Sequence, residues 1–493
     1  MEIDEAAASQ VPALVMGAGT AGRALLRALR HDATADVTPV GVLDDNDVLY
    51  RVCGLPVLGG TDMIDRAAAR TGARVVLPAI PSLPRPRAAD LIERSWAAGL
   101  SVRALSPGGR TVQDLRDMRL SQVMGRDEVA FWDERARRLV AGRRVLVTGA
   151  GGAIGAALCR RLAGLGPVAL CMVDRDAGAL DRLRLEIAGT GRTPPADRIV
   201  TARVDVRDRS ARVVTARVVT ACVDVRDRGA VGAVFEDLRP DLVFHAAQSQ
   251  RPAELELDPC ASVLTNVRGT HHVVDAAVRC GVERLVLVSS DAAADPASMF
   301  GATKRLAELL PQAHAGGATR FAVVRLGDVL GAPGSLLSAL AGRIARNRTI
   351  DISHPDLARR FMTVEESTGL VLEAAALAER ADEAETFALD VGAPVPVVDV
   401  VHRYAERLHV PVVSIRFGGL RPGERLAEKA FAAAERALPT AHPKVLATLP
   451  GPTPAALPRL FDPLYVAATL GDEETTRGML RRLVPEYRPV RRP

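Results

Sequence analysis

Several stretches of this 493-residue chain hold residue types whose spacing suits chemistry. The first is RVLVTGAGGAIG, Arg144 to Gly155, where an apolar run breaks into closely spaced glycines. Gly149 suits a tight turn, Gly152 a close backbone approach to a pyrophosphate, and Gly155 close packing of the following helix. Ala153 and Ile154 complete the loop, and the helix that follows, over Ala157 to Ala163, offers unpaired N–H groups and a positive dipole end. A second apolar run, Val168 to Val173, ends in Asp174, whose carboxylate can accept both ribose hydroxyls of NAD. Arg175 beside it leaves NADP open, since a guanidinium there can hold a 2′-phosphate. A third stretch, ERLVLVSSDAAADP (Glu283 to Pro296), delivers Ser289, Ser290 and Asp291 to the carboxyl end of a buried strand, where open α/β sheets bind ligands. Lys304 follows, four residues after Phe300. Arg359, in HPDLARRFMTVEE, and Arg421, in FGGLRPGERLAE with Glu424, are planar forks suited to a diphosphate.

Alternating strands and helices must position these groups. The pattern predicts an α/β fold of two Rossmann-like, doubly wound parallel sheets in tandem. In DLVFHAAQSQ (Asp241 to Gln250) an apolar strand ends in Ala246 and Ala247, small enough for a nicotinamide ribose to pass. Asn266 and Gly269, in TNVRGT, open a helix. VTARVDVRDR (Val200 to Arg209) recurs as VTACVDVRDR (Val219 to Arg228), a tandem duplication within 200–228. The second copy joins the next helix directly and is expected in the sheet, with Asp224 and Val225 near the adenine. The first is expected as a surface excursion or a competitor for the same register, with Asp205 and Val206 as alternates.

Ahead of this unit, ALVMGAGTAG sets Gly17, Gly19 and Gly22 in the same glycine spacing, within a domain predicted over 11–106. That domain is either a second nucleotide site or a Rossmann-like unit kept for structure. Residues 107–141 read as a linker with short helices, Trp132 as its anchor, and Arg135, Arg137 and Arg138 as a solvated face. A catalytic domain over 142–330 and a substrate-binding C-terminal part over 331–493 complete the organisation. After Arg325 short strands, prolines and basic residues alternate, as in loops that hold substrate over the mouth of such a fold.

Composition excludes several classes. No stretch approaches the uninterrupted apolar length of a spanning helix, and MEIDEAAASQ lacks a signal core, so a cytoplasmic protein is expected. The cysteines are scattered without paired spacing, against a zinc site or disulfide framework, and no metal is expected. Net charge is +5, but charges are interspersed and aromatic residues are only 3%, against nucleic-acid binding.

Taken in order, TGAGGAIG, DVRDR, VFHAA, TNVRGT, LVSSD, GATKR, VLGAPGS, HPD…RFMT, LRPGE and AHPK…LVPEYRP resemble the CapD-like polysaccharide-biosynthesis group of extended short-chain dehydrogenase/reductases, the nucleotide-sugar 4,6-dehydratases. The resemblance runs through nearly the whole chain, although long members start with transmembrane helices that this chain lacks. It implies NAD, a UDP-N-acetylhexosamine substrate, and a homo-oligomer formed through helices flanking the catalytic sheet. It also implies a reaction in which the sugar C4 is oxidised, C5 loses a proton, the C6 hydroxyl leaves as water, and the hydride returns to C6.

On that resemblance Ser290 and Asp291 are catalytic, and Lys304 binds ribose and lowers a neighbour's pKa. The family's catalytic lysine position is Ala292, and its Tyr or Met position is Phe300. Its A-A-A-Y-K-H stretch reads Ala246, Ala247, Gln248, Ser249, Gln250, Arg251, and the Asn of its G-N-V-L-G loop is Asp328, grouped with Asn266, Arg359, Arg421 and Glu424 as substrate-binding. Alanine takes no proton, so C5 deprotonation requires that Asp295, Glu254 or another group take the place of the base. The leading reading is dehydration of a UDP-sugar. Beside it stand a C4 epimerase or oxidoreductase without elimination, and a catalytically silent nucleotide-sugar-binding homologue.

Overall fold

The computed structural model describes residues 11–31, 37–46, 48–80, 83–105, 115–118, 120–189, 201–204, 218–249, 252–331, 335–346, 348–380, 382–407, 410, 413–449 and 457–489. Asp205, Val206, Gln250 and Arg251 lie outside these. In the first unit, β1 (Val11–Met16), α1 (Thr20–His31), β2 (Val37–Leu43), α2 (Ile64–Thr71), β3 (Val75–Pro78), α3 (Arg85–Ala97), β4 (Ser101–Leu105) and β5 (Leu115–Met118) follow in order. The sheet runs β2-β1-β3-β4-β5, parallel except for the antiparallel last pair. Among its described residues the segment 107–141, expected as a linker with short helices, also holds a strand: Leu115–Met118 pairs along β4 before the short helices α4 (Leu120–Met124) and α5 (Asp133–Val140).

The second unit opens with β6 (Arg144–Thr148), α6 (Ala153–Ala163), β7 (Ala169–Asp174), α7 (Ala177–Gly189), β8 (Thr201–Val204) and β9 (Val218–Cys222). Next come α8 (Arg228–Leu238), β10 (Leu242–His245), α9 (Gly269–Arg279), β11 (Arg284–Ser290), α10 (Met299–His314) and β12 (Arg320–Leu326). Then follow β13 (Asp328–Val329), α11 (Leu336–Ala345), β14 (Ala358–Arg359), β15 (Phe361–Met362), α12 (Val364–Leu377), β16 (Glu385–Leu389), α13 (Val397–Arg407), β17 (Leu438–Pro439) and β18 (Val445–Thr448). The sheet order is β8-β9-β7-β6-β10-β11-β12-β16-β18-β17, so strands from the C-terminal part extend the same sheet. Its central strands are apolar on both faces, as burial by helices on each side requires, and β6, β10 and β11 read RVLVT, LVFH and RLVLVSS.

The duplication is resolved in two ways. The second copy takes the place beside β7, with Val219 opposite Cys171 and Cys222 opposite Asp174. The described residues of the first, Thr201–Val204, pair in parallel with Val218–Ala221 as an added edge strand, not as the surface excursion expected there.

Three further expectations meet their partners here. Arg138 pairs with Glu134 on the α5 surface as a solvated face should, but Arg135 reaches the buried Glu373 at 2.7 Å. Trp132 is exposed and lies 5.4 Å from the His442 ring, while Phe131 stacks on that ring at 4.9 Å and does the anchoring. Cys159, Cys171 and Cys260 are buried and unpaired. No helix of the described residues is long and apolar enough to cross a membrane, and none of their His, Cys, Asp and Glu side chains gather as a metal set.

Candidate active site

The glycine turn is shaped by close approaches. Gly149 has φ +72°, and a Cβ there would fall 2.5 Å from the Ala247 nitrogen, so the turn packs directly on the backbone after β10. At Gly155 a Cβ would come within 2.0 Å of the Gly149 carbonyl oxygen, which leaves only glycine where α6 meets the turn. Gly152, by contrast, would meet only that carbonyl oxygen, at 3.3 Å, and it stands open at the head of α6. The helix begins at Ala153, earlier than the pattern suggested, so Ala153, Ile154 and Gly155 form its first turn. Asp174 Oδ2 accepts the Gly151 N–H at 2.9 Å and Oδ1 accepts that of Asp176, which aims the carboxylate across the turn. This open glycine, free helix end and fixed carboxylate fit a dinucleotide.

The adenine side is more constrained than expected. Asp224 is clasped by the Arg226 guanidinium at 2.6 Å, which holds its carboxyl below the usual range although partial burial works the other way. Val225 is buried and gives its carbonyl to His272 Nδ1. Arg175 stays exposed, with its carbonyl accepting from the Cys222 thiol.

Ser290 and Asp291 emerge where β11 ends. Ser290 Oγ donates to Asp291 Oδ1 at 3.2 Å and accepts from the Ala292 amide, so it caps the short turn Asp291–Ala293. Burial, aided by repulsion from Asp328 and Glu428, pushes the Asp291 carboxyl up to about 8, while Ser290 and Arg359 oppose the rise. A neutral carboxylic acid at physiological pH is a proton donor. Gly301, in the first turn of α10, sits so close to this turn that a Cβ would fall 2.4 Å from the Ala292 carbonyl oxygen. That contact brings Phe300, Ala292 and Asp291 into one neighbourhood. Ala292 itself is partly exposed and presents only a methyl group.

Lys304, on the same helix, is buried and donates from Nζ to the Val288 carbonyl at 2.7 Å. Burial lowers its ammonium to about 8, and Glu308 counters only in part. Behind it Glu308 accepts from Ser289 at 2.6 Å and pairs with Arg325 at 2.7 Å, which also grips Glu435. This network was missed in the sequence. The Lys304–Glu308 helical spacing was its one available signal.

The expected substrate residues divide. Asp328, Arg359 and Glu424 do come together: Arg359 Nε lies 3.1 Å from Asp328 and Nη2 3.8 Å from Glu424. Its Nη1, however, donates to the carbonyls of Ala358, Arg425 and Leu426, so Arg359 organises the loop instead of standing free as a diphosphate fork. Arg421 is exposed, and its amide donates to Glu424 Oε2 at 2.9 Å. Asn266 is buried, with its side-chain amide hydrogen-bonded to Ser249 in the loop after β10 and to Thr303. Asp295 is also taken, by Arg425 at 2.6 Å and Lys429 at 2.9 Å, which hold its carboxyl low. Glu254 is exposed on a short helix, Pro252–Leu257. Glu428 is the carboxylate that sequence reasoning overlooked: burial raises it, and it acts on Asp291.

A doubly wound sheet with a glycine turn, a carboxylate at the next strand end, a strand-end Ser-Asp pair and a helical lysine defines an extended short-chain dehydrogenase/reductase. The profile of the family described as "Polysaccharide biosynthesis protein" matches residues 145–450, and the chain belongs to that family. It is similar to the probable polysaccharide biosynthesis protein EpsC of Bacillus subtilis, at 31% identity over 85% of this chain and 68% of the relative. Similarity to the capsular polysaccharide biosynthesis protein CapD of Staphylococcus aureus is 28% over 84% of this chain and 68% of that one. Among solved structures it resembles Pen from Bacillus thuringiensis, with 26% identity and a TM-score of 0.54 over 64% of this chain and 92% of that one. At this level the chain is an enzyme of the short-chain dehydrogenase/reductase type in polysaccharide biosynthesis.

Proposed function

We propose that this chain oxidises C4 of a UDP-N-acetylhexosamine and carries the sugar on toward 4,6-dehydration. The observation that carries the reading is the state of Asp291: a buried carboxyl held near 8, hydrogen-bonded by Ser290, at the end of β11 in the same sheet as the glycine turn. NAD would be held by Gly149, Gly152, Ala153, Ile154, Gly155, Asp174, Ala246, Ala247 and Lys304, and when bound it supplies hydride acceptance and return. The remaining work falls to side chains. Ser290 Oγ orients Asp291, whose carboxylate, in the fraction that has given up its proton, takes the C4 hydroxyl proton when C4 is oxidised. Lys304 supplies positive charge beside the strand end, at a carbonyl that fixes its Nζ. Asp328, Arg359 and Glu424 shape the sugar side, with Arg421 exposed toward the diphosphate.

Ala292 cannot remove the C5 proton. Glu428 is the group this reading assigns to it: its carbonyl accepts from Arg360 beside the Asp328 strand, its neighbours Arg425 and Lys429 hold Asp295, and its charge opposes ionisation of Asp291, while Asp295 is paired and Glu254 exposed. Once C5 is deprotonated, the C6 hydroxyl takes the Asp291 proton and leaves as water. The second reading, C4 oxidation without elimination, is favoured by Ala292 alone.

Incubation with UDP-N-acetylglucosamine in heavy water separates the two. Deuterium at C5 together with loss of water supports dehydration, whereas reduced nicotinamide or a C4 epimer with neither change supports the second. Absence of any turnover with UDP-hexoses removes both.

A further inference from the structure

The sugar side of the site rests on two very short strands. Asp328–Val329 pairs with Phe361–Met362, and the rungs are the Asp328 amide to the Arg360 carbonyl at 3.0 Å and the Leu330 amide to the Met362 carbonyl at 2.9 Å. Two-residue strands have little stability of their own, so neighbouring groups must hold this ladder. On its outer edge the neighbour is Arg126, from the segment between the two domains. Nη2 donates to the Phe361 carbonyl at 2.6 Å and to Glu366 Oε2 at 2.8 Å, while Nη1 donates to Glu366 Oε1 at 2.6 Å and to the Asp127 carbonyl at 2.8 Å. Glu366 is buried and closes the capping box of α12, accepting from Thr363 and Val129 as well. Apolar packing continues the support. Gly331, just past β13 with φ +79°, approaches Trp96 and Leu120 so closely that a Cβ would lie 3.2 and 3.0 Å from them. Trp96, Leu120, Leu330 and Phe361 belong to one buried cluster.

Building on the sugar-site reading above, we infer that Arg126 is a positioning residue: its fork ties the interdomain segment to the Asp328 ladder and so sets the affinity for the UDP-sugar. Only a planar guanidinium reaches both Glu366 oxygens and the Phe361 carbonyl together. Lysine keeps the charge and loses the fork, which makes Arg126→Lys the informative variant; Arg126→Ala also strands the buried Glu366 and risks unfolding.

The experiment has two readouts on wild type and Arg126→Lys, in the full chain. Hydrogen exchange at the Asp328 and Leu330 amides should quicken about tenfold in the variant, with Val145 to Val147 unchanged. UDP affinity should weaken about tenfold with NAD affinity held within about twofold, and KM for the UDP-sugar should rise more than kcat falls. Unchanged exchange at the ladder overturns the inference, as does equal loss of UDP and NAD affinity. Failure of wild type to bind UDP overturns the sugar reading instead, and the exchange readout still decides the role of Arg126.

Discussion

Lys304 Nζ donates to the carbonyl oxygen of Val288 at 2.7 Å, which pins the ammonium of α10 to the strand that delivers Ser290 and Asp291. Position therefore survives without ligand, and the charge is what a change here removes. Lys304→Met is expected to weaken NAD binding at least about tenfold and to lower turnover further, with secondary structure intact. Fluorescence titration with NAD beside circular dichroism checks it. NAD affinity equal to wild type would remove Lys304 from the cofactor site.

Asp291→Asn keeps shape and hydrogen bonding but holds no transferable proton. Turnover should fall about 10²- to 10⁴-fold while NAD affinity stays. The same variant reports the raised carboxyl through stability. Folding holds the Asp291 proton that the unfolded chain releases near 3.8, so wild type loses stability as pH rises from about 4 to about 8. The thermal midpoint of Asp291→Asn should gain on wild type through that window and level off above it. A constant gap would show an ordinary carboxylate.

Activity should show the same group. Asp291 must lose its proton to take that of the C4 hydroxyl, and Lys304 must keep its own, so with both near 8 kcat/KM is expected to rise toward that value and fall beyond it. A profile flat well beyond it would contradict both roles.

Glu428→Gln should abolish deuterium entry at C5 and leave C4 oxidation measurable. Ala292→Lys restores a base at the turn and should raise dehydration about tenfold or more. If Glu428→Gln exchanges C5 as wild type does, the base lies elsewhere.

Glu308→Gln breaks a buried ion pair with Arg325 and should cost about 3–5 kcal/mol. Urea unfolding measures it, and a loss below about 1 kcal/mol would mean that the network relaxes at little cost.

Local patterns marked the glycine turn. Gly149 and Gly155 act through backbone shape and Asp174 through its carboxylate within one strand-turn-helix unit, so spacing locates the turn itself. The strand end at Ser290 and Asp291 and the helix of Lys304 were legible as elements, whereas the roles given to them came from the family resemblance. Long-range pairing was not legible in the same way. Nothing local marks Arg126 as the partner of Glu366, or Arg325 as joining Glu308 to Glu435, because those contacts exist only once distant segments meet. The bonds of Asn266 to Ser249 and Thr303 are equally silent in the sequence, because they join residues far apart along the chain. The first repeat copy was misplaced because an edge strand has the same pattern as its neighbour.

The central claim is oxidation at C4 by this site. UDP-N-acetylglucosamine carrying deuterium at C4, mixed with NAD-loaded protein, tests it directly by mass spectrometry of sugar and nicotinamide. The account predicts that the label leaves C4, slows turnover, and appears on the nicotinamide or at C6 of the product. Product formed with deuterium still at C4, or substrate bound and never oxidised, would contradict it.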